Sequence, residues 1–193
     1  MAVNIKNSPL PPHNTISEYD GQIEKCRDVF RKKALDYGTS WRAMRLSTLL
    51  DQIFIKAKRI RSIEEKQRQE VGDSIASEYV GIVNYCIITL IQISLGDSLE
   101  DAIEIEKIFS LYDKDFQDAK DLMIAKNHDY GEAWRDMFIS SFTDLILTRI
   151  LRMRQILKND GKTIISEGVE ANLYDMINYG VFALIKLEEN MKE

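Results

Sequence analysis

Apolar residues recur at helical spacing along most of the chain. Over residues 42–64 they follow the i, i+3, i+4, i+7 pattern of a helix with one buried face. The positions are Leu46, Leu49, Leu50, Ile53, Phe54, Ala57 and Ile60. Residues 135–158 form a similar stretch, so we predict an amphipathic helix over each of the two.

Two further helices are predicted around each of these stretches. One covers 17–35, with a counterpart near 110–127, and ends at a glycine that suits the left-handed conformation closing a helix. The other covers 69–95, with a counterpart over 165–190, and its later half is apolar on nearly every side. Such a helix is expected at the centre of the protein.

Prolines and turn residues mark the boundaries between these helices. All three prolines lie in the first twelve residues, so an extended or disordered arm is predicted there, followed by a helix start with capping-box spacing from Thr15 to Glu18. Turns are predicted at 96–98 and 159–161, with a short acidic helix in the linker. The predicted organisation is an arm over 1–14, a first unit over 15–95, a linker over 96–109 and a second unit over 110–193.

The two units are copies of one another. When 19–61 is aligned with 112–154, a shift of 93 positions, 15 of the 43 aligned pairs are identical. Unrelated segments would match at roughly three positions, given average residue frequencies. Together with the lack of any strand pattern, the repeat predicts an all-α protein. We expect a helical bundle of two tandem three-helix units that are related by a pseudo-two-fold axis and share one core.

Composition narrows the functional classes. The 193 residues are 45% hydrophobic and carry a formal net charge of −5, which argues against a general nucleic-acid coat because such binding depends on neutralising phosphates. Cys26 and Cys86 are predicted to be reduced thiols. The first fifteen residues lack the apolar core of a signal peptide, and the apolar run 80–95 is too short to span a bilayer. We expect a cytoplasmic protein with no membrane contact.

The repeated element D-Y-G-x-x-W-R supplies the first candidate site residues. In one interpretation it is a structural corner, in which the glycine ends a helix, the aromatic rings pack on the bundle and the aspartate bonds nearby amides. In the other it binds a ligand, with the rings stacking a base, loop amides binding phosphate and the arginine clamping it. The residues are Asp36, Tyr37, Gly38, Trp41 and Arg42, and their counterparts Asp129, Tyr130, Gly131, Trp134 and Arg135.

A polar stripe on the second helix of each unit supplies further candidates. Ser47, Asp51 and Arg59 share one flank of that helix because they are separated by four and twelve residues. Its counterpart in the second unit consists of Ser140, Asp144 and Arg152, with Lys56 and Arg149 beside the two stripes. The stripe is either an ion-pair network at a helix edge or one wall of a pocket for an anionic ligand.

An Asn-Tyr pair interrupts the most apolar helix of each unit. The pairs are Asn84-Tyr85 and Asn178-Tyr179. A buried asparagine needs hydrogen-bond partners, and we expect the polar stripe to provide them. Asp51, Arg59, Asn84 and Tyr85 would then lie together, either to satisfy the asparagine or to form the floor of a pocket.

Acidic residues near the start of the last helix form a candidate metal site. Glu167 and Glu170 lie one turn apart and Asp175 follows, an arrangement suited to a Mg²⁺ ion that keeps some of its waters. The counterparts in the first unit are Asp73, Ala76 and Gly81, so a metal site would belong to the second unit only. A solvated acidic patch is the alternative. No catalytic residue is predicted.

With these motifs assembled, the chain resembles the nucleotide modification associated domain 1 family. The resemblance covers most of the chain as two copies. It rests on K-x-x-D-Y-G at 33–38 and 126–131, the basic pairs Lys56/Arg59 and Arg149/Arg152, and D-x-x-N-Y at 175–179. It implies a role in nucleotide or modified-base metabolism. The chain departs from the family pattern where Ile55 and Thr148 replace an acidic residue, and where Gly81 replaces the aspartate of the second copy.

Two functional hypotheses remain. In the first, the protein binds a nucleotide or another phosphate-bearing small molecule, and a metal-dependent phosphohydrolase using Mg²⁺ is the enzymatic form of this hypothesis. The better-equipped pocket would then be in the second unit, around Asp129, Tyr130, Trp134, Arg135, Asp144, Arg152, Glu170 and Asp175. In the second, the protein is a non-catalytic helical interaction module whose repeated polar residues only fix the packing. Either protein could form a homodimer, and nucleic acid is not an expected partner.

Overall fold

The chain folds into six α-helices within the residues that the computed structural model describes, which are 14–66, 68, 70, 72–96, 103–159 and 168–191. The first unit contains α1 (Thr15–Tyr37), α2 (Leu46–Lys66) and α3 (Ile75–Leu95). The second unit contains α4 (Ile105–Tyr130), α5 (Ile139–Lys158) and α6 (Val169–Asn190). These residues contain no strand, so the predicted all-α architecture of two three-helix units is confirmed.

The helix boundaries differ from the predicted ones where local polar groups decide them. Asn14 rather than Thr15 caps α1, because its side chain accepts a hydrogen bond from the backbone N–H of Ser17. Helix α3 begins at Ile75, where Ser74 caps it through the N–H of Ser77, and not near residue 69. The arm before Asn14 and the short linker helix predicted near 98–101 lie outside the described residues.

The D-Y-G-x-x-W-R element forms a corner between the first two helices of each unit. Helices α1 and α4 end at Gly38 and Gly131, whose φ angles are 60° and 62°. The Trp-Arg pairs then lie in short 3-10 turns, Ser40–Ala43 and Ala133–Asp136. The second helices therefore begin at Leu46 and Ile139, four residues later than predicted.

The apolar faces of all six helices join in a single core. Helices α3 and α6 pack against each other at its centre and are flanked by α2 and α5. Gly180 permits this approach, because a Cβ atom there would lie 2.7 Å from Cγ2 of Val83. Helix α3 is long and apolar enough to cross a membrane by length and composition alone, but 67% of its most apolar window is buried in the bundle.

Candidate functional site

Repeated ion pairs cross between the second helices of the two units. Oδ1 of Asp51 lies 2.6 Å from Nη2 of Arg154, and Oδ1 of Asp144 lies 3.2 Å from Nη2 of Arg61. Each pair is the pseudo-two-fold counterpart of the other. Since all four side chains are partly exposed, each pair contributes about 0–1 kcal/mol. The expected meeting of Asp51 with the Asn-Tyr pair of its own unit does not occur, because Asp51 faces the other unit instead.

The buried asparagines are also satisfied across the unit boundary. Oδ1 of Asn84 accepts a hydrogen bond from the hydroxyl of Tyr112 at 2.5 Å, and its Nδ2 donates to the carbonyl of Cys26 at 3.1 Å. Asn178 makes the equivalent bonds, to the hydroxyl of Tyr19 at 2.7 Å and to a carbonyl of α4 at 3.1 Å. Burial raises the pKa of both tyrosines, which keeps the hydroxyls protonated as donors.

The corner arginines are bound to protein acceptors. Arg42 is buried, and its Nη1 donates to Oε1 of Gln92 at 2.8 Å and to the carbonyl of Gly96 at 2.9 Å. Arg135 stacks over the ring of Trp134 at 4.3 Å. It also forms ion pairs with three glutamates, Glu18 at 2.5 Å, Glu132 at 2.6 Å and Glu189 at 2.9 Å. The phosphate clamp expected of both arginines therefore does not fit their surroundings.

The remaining corner residues are divided between surface and core. Asp36 and Asp129 are exposed at the ends of their helices, and Tyr37 and Tyr130 are 68% and 75% exposed. The two tryptophans of the corners are buried instead. Residues of the first corner line one of the cavities found among the described residues.

That cavity lies between α1, α2, α3 and the first corner, and has a volume of about 330 Å³. Apolar side chains form most of its wall, and four of them are aromatic: Phe30, Tyr37, Trp41 and Tyr85. Its polar wall includes Lys33, Lys56 and Asn84. Of the residues predicted to form a pocket in this unit, Tyr37, Gly38, Trp41, Asn84 and Tyr85 line the cavity, whereas Asp36, Arg42, Asp51 and Arg59 do not.

The two lysines of the cavity differ in their partners. Lys56 lies across Gly81, where a Cβ atom would be only 2.7 Å from its Cε, and its Nζ is 3.2 Å from Oε2 of Glu78. Arg59 binds the other oxygen of the same glutamate, outside the cavity. Lys33 forms no ion pair with any residue in the described parts of the chain.

The corresponding region of the second unit is arranged differently. Asp175 is buried, with Oδ1 2.5 Å from Nζ of Lys126 and Oδ2 2.6 Å from Nη2 of Arg149. Trp134 stacks on Phe182 with ring centroids 4.3 Å apart, where the first unit has Ile88. The carboxylate that was expected to equip this unit for chemistry instead neutralises two cations of its own chain.

The candidate metal ligands of the second unit do not converge. Glu167 lies outside the described residues, Glu170 is exposed in the first turn of α6, and Asp175 is held by its ion pairs. In the part of the chain that is described, no three His, Cys, Asp or Glu side chains are grouped so that they could hold a metal ion. The Mg²⁺ site stays a prediction from the sequence.

Most of the residues that line the cavity were not among the predicted site residues, and two of them could have been identified from the sequence. Lys33 and Gly81 carry a signal that could have identified them: the lysine is identical in both units, and the glycine replaces the aspartate that binds the equivalent lysine. The sequence favours the second unit because it has the additional carboxylate Asp175. The aromatic cavity described above lies in the first unit.

Comparison with known proteins gives one match. None of the curated proteins and none of the solved structures matches the chain significantly. The family model for nucleotide modification associated domain 1 matches twice, over 33–93 and 126–187, and each match begins at the lysine of K-x-x-D-Y-G. These matches cover more than half of the chain and coincide with the two structural units. The chain therefore belongs to the nucleotide modification associated domain 1 family and carries two tandem copies of that domain.

Proposed function

We propose that the protein binds a nucleotide in the cavity of its first unit. The observation that carries this proposal is the combination of four aromatic side chains and two lysines around a cavity of about 330 Å³. Ligand pockets for small molecules usually have volumes of about 300–1,000 Å³ and mostly apolar walls with a few polar groups. The cavity has these properties.

The lining matches the two chemical parts of a nucleotide. Aromatic side chains such as Tyr37, Trp41 and Tyr85 can pack against a base, an interaction worth about 1–3 kcal/mol per base. The amide of Asn84 is fixed by Tyr112 and Cys26, so it contributes to the shape of the wall more than to base recognition. Lys33 and Lys56 provide positive charge for a phosphate.

The proposal is limited to binding. Metal-dependent phosphate hydrolysis would need grouped carboxylates, and the described Asp175 is already bound to Lys126 and Arg149. The family description, with its reference to nucleotide modification, supports a ligand of the nucleotide class.

A second candidate function is the non-catalytic interaction module. The repeated Tyr-Asn bonds and Asp-Arg pairs support it, because they hold the two units together as this hypothesis expects of repeated polar residues. They account for four of the polar positions repeated between the copies, but not for the cavity or for Lys33. Nucleotide binding by the wild-type protein distinguishes the two functions.

Isothermal titration calorimetry with nucleosides and nucleoside 5′-monophosphates, with and without Mg²⁺, tests the proposal. The substitution Ile88→Phe introduces into the first unit the phenylalanine that the second unit has at Phe182. The larger ring should fill cavity space beside Trp41 and weaken nucleotide binding by about tenfold or more. Ile55→Phe is the matched control, since Ile55 is 57% exposed and lies outside the cavity. Failure of the wild-type protein to bind any of these compounds, or unchanged binding by Ile88→Phe, would refute the proposal.

A further inference from the structure

We infer that a phosphate of the ligand occupies, in the first unit, the place that the Asp175 carboxylate occupies in the second. This inference rests on the proposed function and names the phosphate subsite of the same cavity. The equivalent site in the second unit is then filled by the side chain of Asp175.

Alignment of the two units pairs the cations of one site with those of the other. Lys33 corresponds to Lys126, and Lys56 corresponds to Arg149. With the one-residue insertion between the copies, Gly81 corresponds to Asp175. Both cations are thus retained in the first unit, while the anion between them is removed.

The surroundings of Gly81 differ from those of Asp175. In the second unit Asp175 is only 2% exposed and bridges Lys126 and Arg149 at 2.5 and 2.6 Å. In the first unit Gly81 lies in the cavity wall, beside Lys56 and in the same cavity as Lys33. Lys33 therefore faces the cavity without an anionic partner among the described residues, while Lys56 lies across Gly81 and is paired with Glu78.

The buried carboxylate has a different position in each of the two units. The first unit has Glu78 where the second has Asn172, so its buried carboxylate lies at a different position along the helix from that of Asp175. Glu78 lies one helical turn before Gly81 and binds Lys56 and Arg59. In the first unit this position of the carboxylate leaves Lys33 without an anionic partner among the described residues.

The cations and the aromatic wall of the cavity specify the class of ligand. Two ammonium groups beside an aromatic cavity suit an oxyanion attached to an aromatic group. A nucleoside monophosphate has this form, whereas a free nucleoside lacks the anion and inorganic phosphate lacks the base. The subsite should therefore make the protein prefer a nucleoside monophosphate to its nucleoside.

Binding of a nucleoside and of its 5′-monophosphate to four variants of the full chain tests this inference. Gly81→Asp introduces the aspartate that the second unit has at this position, and Gly81→Ala adds the same Cβ atom without the charge. The side chain of Lys56 must shift in both variants, which its flexible end allows. Lys33→Met removes the free cation. Lys32→Met is the matched control, because Lys32 is the neighbouring lysine, is paired with Asp28 and lies outside the cavity.

The wild-type protein is expected to bind the monophosphate about tenfold or more tightly than the nucleoside. Gly81→Asp and Lys33→Met should each abolish this preference and leave nucleoside binding nearly unchanged, while Gly81→Ala and Lys32→Met should keep it. If Gly81→Asp does not fold, the comparison of Lys33→Met with Lys32→Met decides alone.

Three results would overturn the inference while leaving the proposed function standing: binding of the monophosphate without any preference over the nucleoside, a preference that survives in Gly81→Asp or Lys33→Met, or an equal loss in Gly81→Ala and Gly81→Asp. Binding of neither compound to the wild-type protein would refute the proposed function and the inference together.

Discussion

At the scale of single residues, one buried carboxyl has no counterpart in the first unit. Asp115 on α4 is 7% exposed, and Gln22 stands at the equivalent position. Burial is the main cause that raises its pKa from 3.8 to about 6; nearby Lys114 opposes the rise, and Asp118 and Glu170 add to it. The protonated form of Asp115 therefore persists in the folded protein up to about pH 6.

Asp115→Asn should make the protein more stable at about pH 8 and have little effect at about pH 4. A carboxyl whose folded-state pKa is raised contributes stability below its unfolded pKa and loses that contribution as the pH rises through about 6. Urea denaturation of both proteins across this pH range measures the difference. Asp129→Asn, at an exposed position, is the control. An equal effect of Asp115→Asn at both pH values would contradict the assignment.

The residue scale also shows what a sequence pattern predicts and what it leaves open. Helical spacing places Asp51 and Arg59 on one flank of α2, but it cannot identify their partners. Asp51 binds Arg154 of α5, and Arg59 binds Glu78 of α3. These partners depend on how the helices pack on one another in three dimensions, which the spacing of residues along one helix does not determine.

At the scale of elements, a glycine closes the first helix of each unit. Gly38 and Gly131 have φ near +60° with strongly negative ψ, a conformation that side-chain-bearing residues rarely adopt. No atom lies within 4 Å of an added Cβ at Gly38, so the constraint there is in the backbone and not in the packing. The sequence identified these helix ends because the requirement is local.

Gly38→Ala should lower the free energy of unfolding by about 1–2 kcal/mol through backbone strain. Gly21→Ala is a matched control of opposite sign: Gly21 is inside α1 with equally open space around it, so alanine there should raise stability by about 0.5–1 kcal/mol. Chemical denaturation followed by circular dichroism compares the two. Equal effects of the two substitutions would show that the corner does not require a glycine.

The corner itself explains why the second helices were predicted to start too early. Trp41 and Arg42 lie near the start of the apolar stripe, but Trp41 packs into the core. Arg42 binds Gln92 of α3 and Gly96, which follows that helix. These long-range contacts hold the chain in a 3-10 turn. A helical periodicity cannot distinguish such a turn from the first turn of an α-helix.

At the scale of the whole molecule, the two units share one core and should unfold together. Buried residues from all six helices form one cluster, and α3 and α6 lie at its centre. The chain has only two tryptophans, Trp41 in the first unit and Trp134 in the second. Each unit can therefore be followed separately after the other tryptophan is replaced by phenylalanine.

Ile53→Ala, at a fully buried position of α2, should lower stability by about 2–5 kcal/mol as reported by either tryptophan. One cooperative transition requires the denaturation midpoints of the Trp41 and Trp134 reporters to move by the same amount. Fluorescence during urea unfolding measures both. A shift confined to the Trp41 reporter would show that the two units unfold independently.

The sequence predicted the fold at this scale, and it favoured the second unit for the candidate site, whereas the aromatic cavity lies in the first unit. The repeat and the helical periodicity are sufficient to predict a helical bundle of two equivalent units. The cavity arises from small differences between the copies, since Val80, Gly81 and Ile88 stand where the second unit has Tyr174, Asp175 and Phe182. Whether such substitutions open a space depends on packing in three dimensions, which aligned residues do not show.

A crystal structure of the protein with its tightest-binding nucleoside monophosphate tests the central claim most directly. We predict one ligand in the first unit, with its base among Tyr37, Trp41 and Tyr85 and its phosphate within hydrogen-bond distance of Nζ of Lys33. A ligand bound in the second unit, or anywhere outside the cavity of the first, would contradict this account.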